Sequence, residues 1–411
     1  MKFIVNDYLD TYGGSTTLLL RIGEWTKLSN NKLKIYTPKA GNKEIVDKLY
    51  NAGVEIEVFN TGDLVALKSM IRADISEECI FISFILKQYM DVETIKKELK
   101  ESFVNVLYAI HPDTYLKGLG YSNKMAQSVI KMLYKPLISK LNSSGGLMSM
   151  DRDILFRTES YYGINLSLGM HIQLLPMLIP NYTIAEMNSK IMESYYSKTL
   201  VSACRADFPY KGYVFGLLND FEKLKEEYAD LSLELICSGE QEDVKKLTDK
   251  IATLSKKAQA SIRYHSWMDY EQLKKLVRKC YLSVGMGTAI IDSAIECVPA
   301  IAVKYNSYDA VGDSIFYEKP ELLVAYEGKA INQIRRLLDM NIDEYRDVSI
   351  KCFDAVKNNY DIEKFFEHIT SRERAESKLS RLDVALHKFN SFINSRKKTR
   401  EYSIGAITKE E

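Results

Sequence analysis

The chain has 411 residues, 46% of them hydrophobic, and a formal net charge of +1. This composition predicts a globular protein of two or three domains, and the balanced charge gives no electrostatic case for nucleic-acid binding. Six scattered cysteines and five histidines, without a Cys-x-x-Cys or His-x-x-x-His pair, argue against a disulfide framework, a zinc site and metal catalysis through histidines. The N-terminal MKFIVNDYLD predicts a strand rather than a signal peptide, and no window has the length of a transmembrane helix.

Short apolar runs alternate with helix-length segments along most of the chain, a pattern typical of parallel sheets covered on both faces. The first series of predicted strands is KFIVN (2–6), LKIYT (33–37), VEIEVF (54–59), CIFISF (79–84), VNVLYA (104–109), DILFR (153–157) and IQLLP (172–176). The second series is TLVSA (199–203), LSLELIC (231–237), SIRYH (261–265), YLSVG (281–285), AIAVKY (300–305) and LLVAY (322–326).

Two such series predict two doubly wound domains rather than one very wide sheet. The prolines of LLPMLIPNYT interrupt regular structure between the two series. We expect an N-terminal domain over 1–180 and a C-terminal domain over 181–360. Residues 361–411 should form helices, which we expect to cross back to the N-terminal domain, followed by a frayed tail.

In open parallel sheets, ligands bind beyond the carboxyl ends of the strands, so the loops after the strands are candidate sites. Gly13, Gly14 and Ser15 follow the first strand and precede an amphipathic helix. Glycines let a ligand approach the backbone, and a helix N-terminus favours an anion. The alternative is a tight turn with Ser15 or Thr16 as the helix cap.

Two further loops follow strands of the second series. SACRADFPYKGY places Arg205 and Lys211 in a loop that ends at a helix, as a diphosphate site would require, although both could be ordinary surface cations. RYHSWMDYEQLKKL places Trp267 where it could lie beside a flat base. The alternative there is a buried tryptophan and a helix capped by Asp269.

The stretch GMGTAIIDSAIECVP predicts a glycine turn followed by a short apolar helix. The amides of Gly285, Gly287 and Thr288 would form a second anion site. Asp292, one turn inside the helix, could accept hydrogen bonds from a ligand diol. The alternative is a role in the helix dipole or in capping.

Taken together, these motifs resemble the GT-B glycosyltransferases, in particular the retaining glycosyltransferase family 4. The glycine pair after the first strand, the segment PMLIPNY, the loop RADFPYKG and the stretch GMGTAIIDSAIECVP occur in the family's order over nearly the whole chain. The resemblance implies an α/β fold of two doubly wound Rossmann-like domains that face each other across a cleft. It implies a nucleotide-sugar donor and transfer with retention of configuration. We expect no metal, because two cations and two sets of helix-end amides could stabilise the leaving diphosphate.

The resemblance also implies roles for individual residues. Gly13 and Gly14 would lie under the diphosphate and the acceptor, and His111 of YAIHPDTY would face the transferred sugar unless it caps a helix or packs in the core. Arg205 and Lys211 would neutralise the leaving diphosphate. The Gly287–Thr288 backbone would hold the phosphates and the sugar, and Asp292 would bind the ribose.

Three positions depart from the family's pattern. The first glutamate of its E-x7-E motif falls on Val284, and the second is shortened to Asp292. Glu296 and Cys297 replace the small residue and the glycine that usually precede the proline.

The predicted function is therefore a hexosyltransferase in cell-surface polysaccharide, glycolipid or glycoprotein synthesis. The expected donor is a UDP- or GDP-sugar, bound as substrate, with no further cofactor, and the acceptor is a glycan, a glycolipid or a protein. Two alternatives remain. One is an inert GT-B partner or glycan-binding subunit, and the other is a sugar-nucleotide 2-epimerase, for which His111 and His265 would be the candidate residues.

We expect a cytoplasmic protein, with a peripheral contact to the inner face of the membrane through residues 114–141. This segment carries lysines and an apolar stripe but no acidic residue, which is typical of a membrane-surface helix. The alternative is a helix that packs on the sheet and exposes its lysines to solvent.

Overall fold

A computed structural model describes residues 1–9, 14–60, 63–75, 78–110, 124–143, 147–166 and 175–372, with a few positions between 377 and 388. The chain divides into two compact units. The N-terminal unit comprises Met1–Leu178 and Ile362–Glu411, and the C-terminal unit comprises Ile179–Asp361.

The N-terminal unit is built on a six-stranded parallel sheet of order β3-β2-β1-β4-β5-β6. Its strands are β1 (Lys2–Asn6), β2 (Lys32–Thr37), β3 (Glu55–Val58), β4 (Cys79–Ser83), β5 (Val104–Ala109) and β6 (Leu147–Ser149). Its first helices are α1 (Gly14–Leu28), α2 (Lys43–Asn51), α3 (Leu64–Asp74), α4 (Leu86–Leu99), α5 (Lys124–Ser143) and α6 (Arg152–Tyr162). Strands β4 and β5 are buried along their whole length, which explains their continuous apolar runs.

The C-terminal unit is built on a five-stranded parallel sheet of order β11-β10-β7-β8-β9. Its strands are β7 (Thr199–Ala206), β8 (Ser232–Gly239), β9 (Ile262–His265), β10 (Leu282–Gly285) and β11 (Ala300–Ala302). Its helices are α7 (Ile184–Ser197), α8 (Tyr213–Glu227), α9 (Gln241–Ala252), α10 (Lys256–Gln259), α11 (Tyr270–Val277), α12 (Thr288–Ile295), α13 (Ala330–Leu338) and α14 (Ile342–Asn359).

The strand order of the second sheet reverses between β7 and β10. From β7 the chain adds β8 and β9 on one side, and it then returns to add β10 and β11 on the other. Such a topological switch point leaves a crevice at the carboxyl ends of β7 and β10, because the connections that follow these two strands run in opposite directions. The loops that follow β7 and β10 therefore meet at this crevice.

After the second sheet is complete, the chain returns to the N-terminal unit. The Ile362 amide donates a hydrogen bond to the Met177 carbonyl at 3.0 Å, and α15 (Ile362–Thr370) follows. The Phe366 ring stacks on Trp25 at 3.8 Å between centroids, and the Trp25 indole donates to Glu363 at 2.7 Å. Helix α15 is thus part of the core around β1 and α1.

The predicted strand over 153–157 is wrong, because this segment lies in α6. Asp151 caps the helix by accepting a hydrogen bond from the Ile154 amide at 2.8 Å. The buried residues Ile154, Leu155, Thr158 and Tyr162 recur with helical rather than alternating spacing. Asp151 and Asp153 therefore lie at the N-terminus of a helix, as its cap and in its first turn.

The predicted strand over 322–326 is also wrong, because this segment is irregular. The Leu323 carbonyl accepts a hydrogen bond from the Gly287 amide at 2.9 Å, so the run pairs with a turn rather than with a strand. Of the run predicted over 172–176, residues 172–174 lie outside the described residues, and Leu175 and Pro176 are not in a strand. The short strand β6 was not predicted.

Helix α5 bears on the predicted membrane contact. Leu137, Ile138 and Leu141 are buried in the core of the N-terminal unit, whereas Lys135 and Lys140 are exposed. In this part of the segment the apolar stripe therefore packs into the core, as the alternative prediction held, and is not offered to a lipid surface. None of the helices in the described ranges is both long enough and apolar enough to cross a membrane.

Glu296, one of the departures from the family pattern, is a fully buried carboxylate at the end of α12. It accepts hydrogen bonds from Lys190 at 2.6 Å, from Arg278 at 2.9 Å and from the Tyr182 hydroxyl at 3.2 Å. Lys274 is 3.6 Å away. The carboxylate thus joins α12 to cations on α7, on α11 and just after α11, which explains how an acidic residue is tolerated there.

Cys297, the second of these departures, occupies the position at which the family usually has glycine. Its φ of 61° lies in the left-handed region, where glycine is favoured. The backbone therefore has a conformation that glycine adopts readily, although the residue carries a side chain.

Candidate functional site

The loop after β7 carries the two predicted phosphate-binding cations. Arg205 is 69% exposed and pairs with Asp207 at 3.2 Å. Lys211 is half-buried over the ring of Tyr210, and burial lowers its pKa below the ordinary value. A partly desolvated lysine beside an exposed arginine can bind an anion with little further loss of hydration.

Glycines hold this loop tightly against the segment that follows β11. The Asn306 amide donates to the Tyr210 carbonyl at 3.0 Å, and the Tyr210 and Tyr305 rings stack at 5.7 Å. A β-carbon on Gly212 would lie 2.8 Å from the Ser307 carbonyl oxygen. A β-carbon on Gly216 would lie 2.2 Å from the Ala310 nitrogen. Close backbone contact therefore fixes the position of Lys211.

The turn after β10 begins at Gly285 and opens α12 at Gly287, the helix N-cap. Gly287 has a φ of 67° and a ψ of −138°, which a residue with a β-carbon rarely adopts. The Gly287 amide donates a hydrogen bond to the Leu323 carbonyl, so a phosphate would have to compete with this carbonyl for the amide. The amides of Thr288 and Ala289 begin the helix and have no acceptor within it by helix geometry.

Substitution of Gly287 by alanine should lower the free energy of unfolding of the C-terminal unit by about 1–3 kcal/mol, because the backbone would be strained. No atom lies within 4 Å of the added β-carbon, so a clash is not the cause. Gly285→Ala is the matched control, because its β-carbon would meet its neighbours at 3.7–4.0 Å, an ordinary contact. Urea unfolding of both variants checks the prediction, and equal losses would contradict it.

Asp292 is half-buried on α12, between residues that face the core. Its carboxylate accepts a hydrogen bond from the Tyr270 hydroxyl at 3.0 Å. Because Gly287 is the N-cap and Asp292 lies five residues further on, the alternative capping role is wrong. Tyr270, at the start of α11, was not predicted, and it orients this carboxylate.

Trp267 follows β9 and is 67% exposed, so the alternative of a buried tryptophan is wrong. The other half of that alternative is correct, because Asp269 caps α11 by accepting from the Gln272 amide at 2.9 Å. His265, the last residue of β9, is bonded to the buried Glu234 at 2.8 Å. The loop that carries Trp267 leads directly into Tyr270 and thus toward Asp292.

Of the predicted site residues in the N-terminal unit, the structure describes only Gly14. Gly13 and His111 lie outside the described residues. Gly14 is the first residue of α1, and no atom lies within 4 Å of the β-carbon it lacks. Their proposed contacts with the diphosphate, the acceptor and the sugar stay predictions.

Val284 stands where the family's first glutamate would be. It is fully buried in β10 and pairs with Ile301 of β11. The side chain therefore contributes packing and brings no charge to the crevice.

The second unit thus brings two groups of predicted residues to one topological switch point. Arg205 and Lys211 follow β7, and the turn from Gly285 to Thr288 follows the adjacent strand β10. Two cations and a helix N-terminus can hold a diphosphate, and a carboxylate one turn along can accept hydroxyl donors.

Comparison with solved structures identifies the architecture. HepE of Anabaena, solved in complex with UDP, matches with a TM-score of 0.61 at 12% identity, over 90% of this chain and 98% of HepE. A glycosyltransferase from Rickettsia africae matches with a TM-score of 0.62 at 11% identity, over 90% of this chain and 99% of its own. The chain has the GT-B fold.

This finding confirms the predicted fold class of two doubly wound Rossmann-like domains. A third GT-B structure, a TarM variant from S. aureus solved with fondaparinux, α-GlcNAc-glycerol and UDP, matches with a TM-score of 0.52 at 11% identity, over 90% of this chain and 99% of TarM. No protein-family model and no curated protein matches the sequence. The likeness is therefore one of fold.

Proposed function

We propose that this protein is a glycosyltransferase that uses a nucleoside-diphosphate sugar. The observation that supports the proposal is topological: Arg205 and Lys211 lie at and after the end of β7, and the N-terminus of α12 follows the adjacent strand β10. GT-B proteins solved with UDP support a uridine nucleotide as the first donor to test. The fondaparinux bound to TarM supports a glycan as the acceptor class.

The proposed chemistry is departure of a diphosphate from the sugar. As the glycosyl–phosphate bond breaks, positive charge develops on the sugar and negative charge on the leaving diphosphate. Arg205, Lys211 and the first amides of α12 would stabilise that negative charge with groups held in place before the reaction. Asp292, oriented by Tyr270, would accept hydrogen bonds from the ribose hydroxyls. The proposal assigns no role to a metal ion, and it includes retention of configuration, as the resemblance implies.

The first experiment is a thermal-shift screen of the full chain against UDP, GDP, ADP, CMP, dTDP and their sugars. A ligand at a hundred times its dissociation constant should stabilise the protein by about 2.7 kcal/mol. We expect one nucleotide family to give a shift, and Arg205→Ala and Asp292→Ala to reduce it to about half or less. Loss of one charged hydrogen bond removes about 1.5–3 kcal/mol, which is roughly a 10- to 100-fold weaker affinity.

Arg335→Ala is the matched control, because Arg335 is also a surface arginine of the C-terminal unit that pairs with a carboxylate, Glu227, but it lies on α13 and not in a loop after β7 or β10. It should keep the full thermal shift. Absence of a shift with every nucleotide, or an equal shift in all variants, would contradict the proposed donor site.

Val284 supports a second candidate, a GT-B protein that binds a nucleotide sugar without transferring the sugar. Its buried apolar side chain removes the acidic contact that the family makes to the sugar. Donor consumption separates the two candidates, because a transferase releases UDP in the presence of an acceptor glycan and an inert binder does not. Conversion of the donor to an epimer without an acceptor would instead identify the epimerase alternative.

A further inference from the structure

Two cysteines face each other near the carboxyl ends of β7 and β8. Cys204 and Cys237 are register partners on these neighbouring strands, and their Sγ atoms are 3.5 Å apart. Paired residues on adjacent strands have α-carbons about 4.8 Å apart, within the range of about 4.4–6.8 Å that disulfides span. Closing the sulfur–sulfur distance to about 2.05 Å would therefore need only a small adjustment of the two side chains and strand ends.

The two thiols differ in environment. Cys204 is half-buried and Cys237 is fully buried. The pKa of Cys204 is lowered, first because the Cys237 thiol hydrogen-bonds to it and further because Lys211 places a positive charge nearby. The pKa of Cys237 is raised by the same hydrogen bond and by burial. Cys204 is thus the attacking thiol of the pair, and Cys237 is the resolving one.

The titratable groups that act on the pair come from the surrounding elements of the C-terminal unit. They are Lys211 in the loop after β7, Tyr213 at the start of α8, Tyr264 on β9 and Asp243 on α9. The Tyr264 hydroxyl donates to the Cys237 carbonyl at 2.8 Å. Lys211 supplies the positive charge that favours a thiolate at Cys204.

We propose that Cys204 and Cys237 form a thiol–disulfide site that reacts with low-molecular-weight disulfides, and that closing the disulfide weakens nucleotide binding. The Cys204 thiolate attacks one sulfur of the oxidant R–S–S–R, forms a mixed disulfide and releases R–S⁻. That thiolate takes the Cys237 proton, and the Cys237 sulfur then attacks the Cys204 sulfur and expels the second R–S⁻, which takes a proton from solvent. Two protein thiols are oxidised, and one oxidant disulfide is reduced to two thiols.

The effect on the nucleotide rests on the proposed function. Cys204 directly precedes Arg205, and β7 lies between β8 and β10. Closing the disulfide adjusts the end of β7, where Arg205 is the next residue. Burial lowers the pKa of Lys211, and the negative charge of the Cys204 thiolate raises it. A neutral disulfide removes that negative charge, so Lys211 would hold its proton less firmly beside a diphosphate, and we expect UDP to bind at least tenfold more weakly.

The test treats the 411-residue chain with oxidised glutathione, maps disulfides by mass spectrometry without reduction, and measures the affinity for UDP before and after the treatment. We expect a linked Cys204–Cys237 peptide and weaker UDP binding. Dithiothreitol should restore both the free thiols and the original affinity for UDP. In the Cys237→Ser variant, the reaction with oxidised glutathione should stop at the mixed disulfide between glutathione and Cys204. Cys280→Ser is the control, because its sulfur bonds to the Leu276 carbonyl at 3.2 Å, and it should behave like the unmodified chain.

A Lys211→Met variant tests the assigned charge. The rate of Cys204 alkylation by iodoacetamide should follow a pH profile displaced to higher pH, because the thiolate loses its positive neighbour. Failure to form the linked peptide in folded protein, or a linked form with unchanged UDP affinity, would overturn the proposal. If the reduced protein bound no nucleotide, the proposed function would fail, and the linked peptide alone would decide whether the dithiol reacts.

Discussion

Replacing Glu296 by glutamine is expected to lower the free energy of unfolding of the C-terminal unit by about 3–5 kcal/mol. The variant has the shape of glutamate but leaves Lys190 and Arg278 beside a neutral amide. Lys190 is largely buried, so it would lose a charge partner in a region of low dielectric. Hydrogen exchange in the peptides that cover β10 and β11, followed at increasing urea, measures the loss in this unit specifically.

The same carboxylate makes the stability of the C-terminal unit depend on pH. Burial alone would raise the pKa of Glu296, but hydrogen bonds from Arg278 and Lys190 outweigh burial and leave the pKa below its ordinary value of 4.5. A depressed pKa in the folded state means that the contribution is complete above the unfolded value and is lost as pH falls through the folded value. The stability difference between the native chain and Glu296→Gln should therefore shrink below about pH 4.5.

Glu227→Gln is the matched control for this prediction. Glu227 also pairs with an arginine, Arg335, but on the surface, where the pair is screened by solvent. Its substitution should change stability little at any pH. If both variants lost a similar amount of unfolding free energy, the buried cluster around Glu296 would stabilise the protein no more than a surface ion pair does.

Replacing Gly216 by alanine should destabilise the C-terminal unit by about 3 kcal/mol or more, because overpacking against a backbone atom cannot be relieved by a side-chain rotation. The added β-carbon would lie 2.2 Å from the Ala310 nitrogen and 2.6 Å from the Asp309 backbone. Alanine favours a helix interior over glycine by about 1 kcal/mol, so the clash has to exceed that gain. Urea unfolding measures the net effect.

The same substitution should weaken nucleotide binding. Helix α8 would move away from the segment after β11, and the adjacent loop would carry Lys211 with it. Gly14→Ala is the control for stability, since this glycine is also helical but has no atom within 4 Å of an added β-carbon. We expect Gly14→Ala to leave the free energy of unfolding unchanged or slightly higher. A stable Gly216→Ala protein with full UDP affinity would contradict the role of this close contact.

The alternation of strands and helices could be predicted from the sequence because most strands of the parallel sheets are largely buried and apolar. Strands β4 and β5 are buried along their whole length, and β7 and β8 over most of theirs. The prediction failed over 153–157, because this short apolar segment belongs to the buried face of α6, a helix capped by Asp151. The placement of Arg205 and of the turn at Gly287 could also be predicted, since both follow strands, and loops after parallel strands share one edge of the sheet.

Contacts that depend on strand register and helix packing could not be predicted. Tyr270 and Asp292 are 22 residues apart, and only the packing of α11 against α12 brings the hydroxyl to the carboxylate. Cys204 and Cys237 pair because each lies two residues before the end of its strand. This equal spacing could have predicted the pairing. The predicted strands, however, ended at residues 203 and 237 rather than at 206 and 239, so the spacing was not apparent.

The return of the chain at Ile362 has a consequence for biosynthesis. The C-terminal unit is one uninterrupted segment, Ile179–Asp361, whereas the N-terminal unit draws on both ends of the chain. The ribosome therefore delivers every residue of the C-terminal unit before it delivers α15, whose Phe366 covers Trp25. The unit that begins first is thus completed last, in reverse of the usual order for two-domain chains. Nascent chains stalled before residue 362 should leave Trp25 accessible to solvent while the second sheet is already complete.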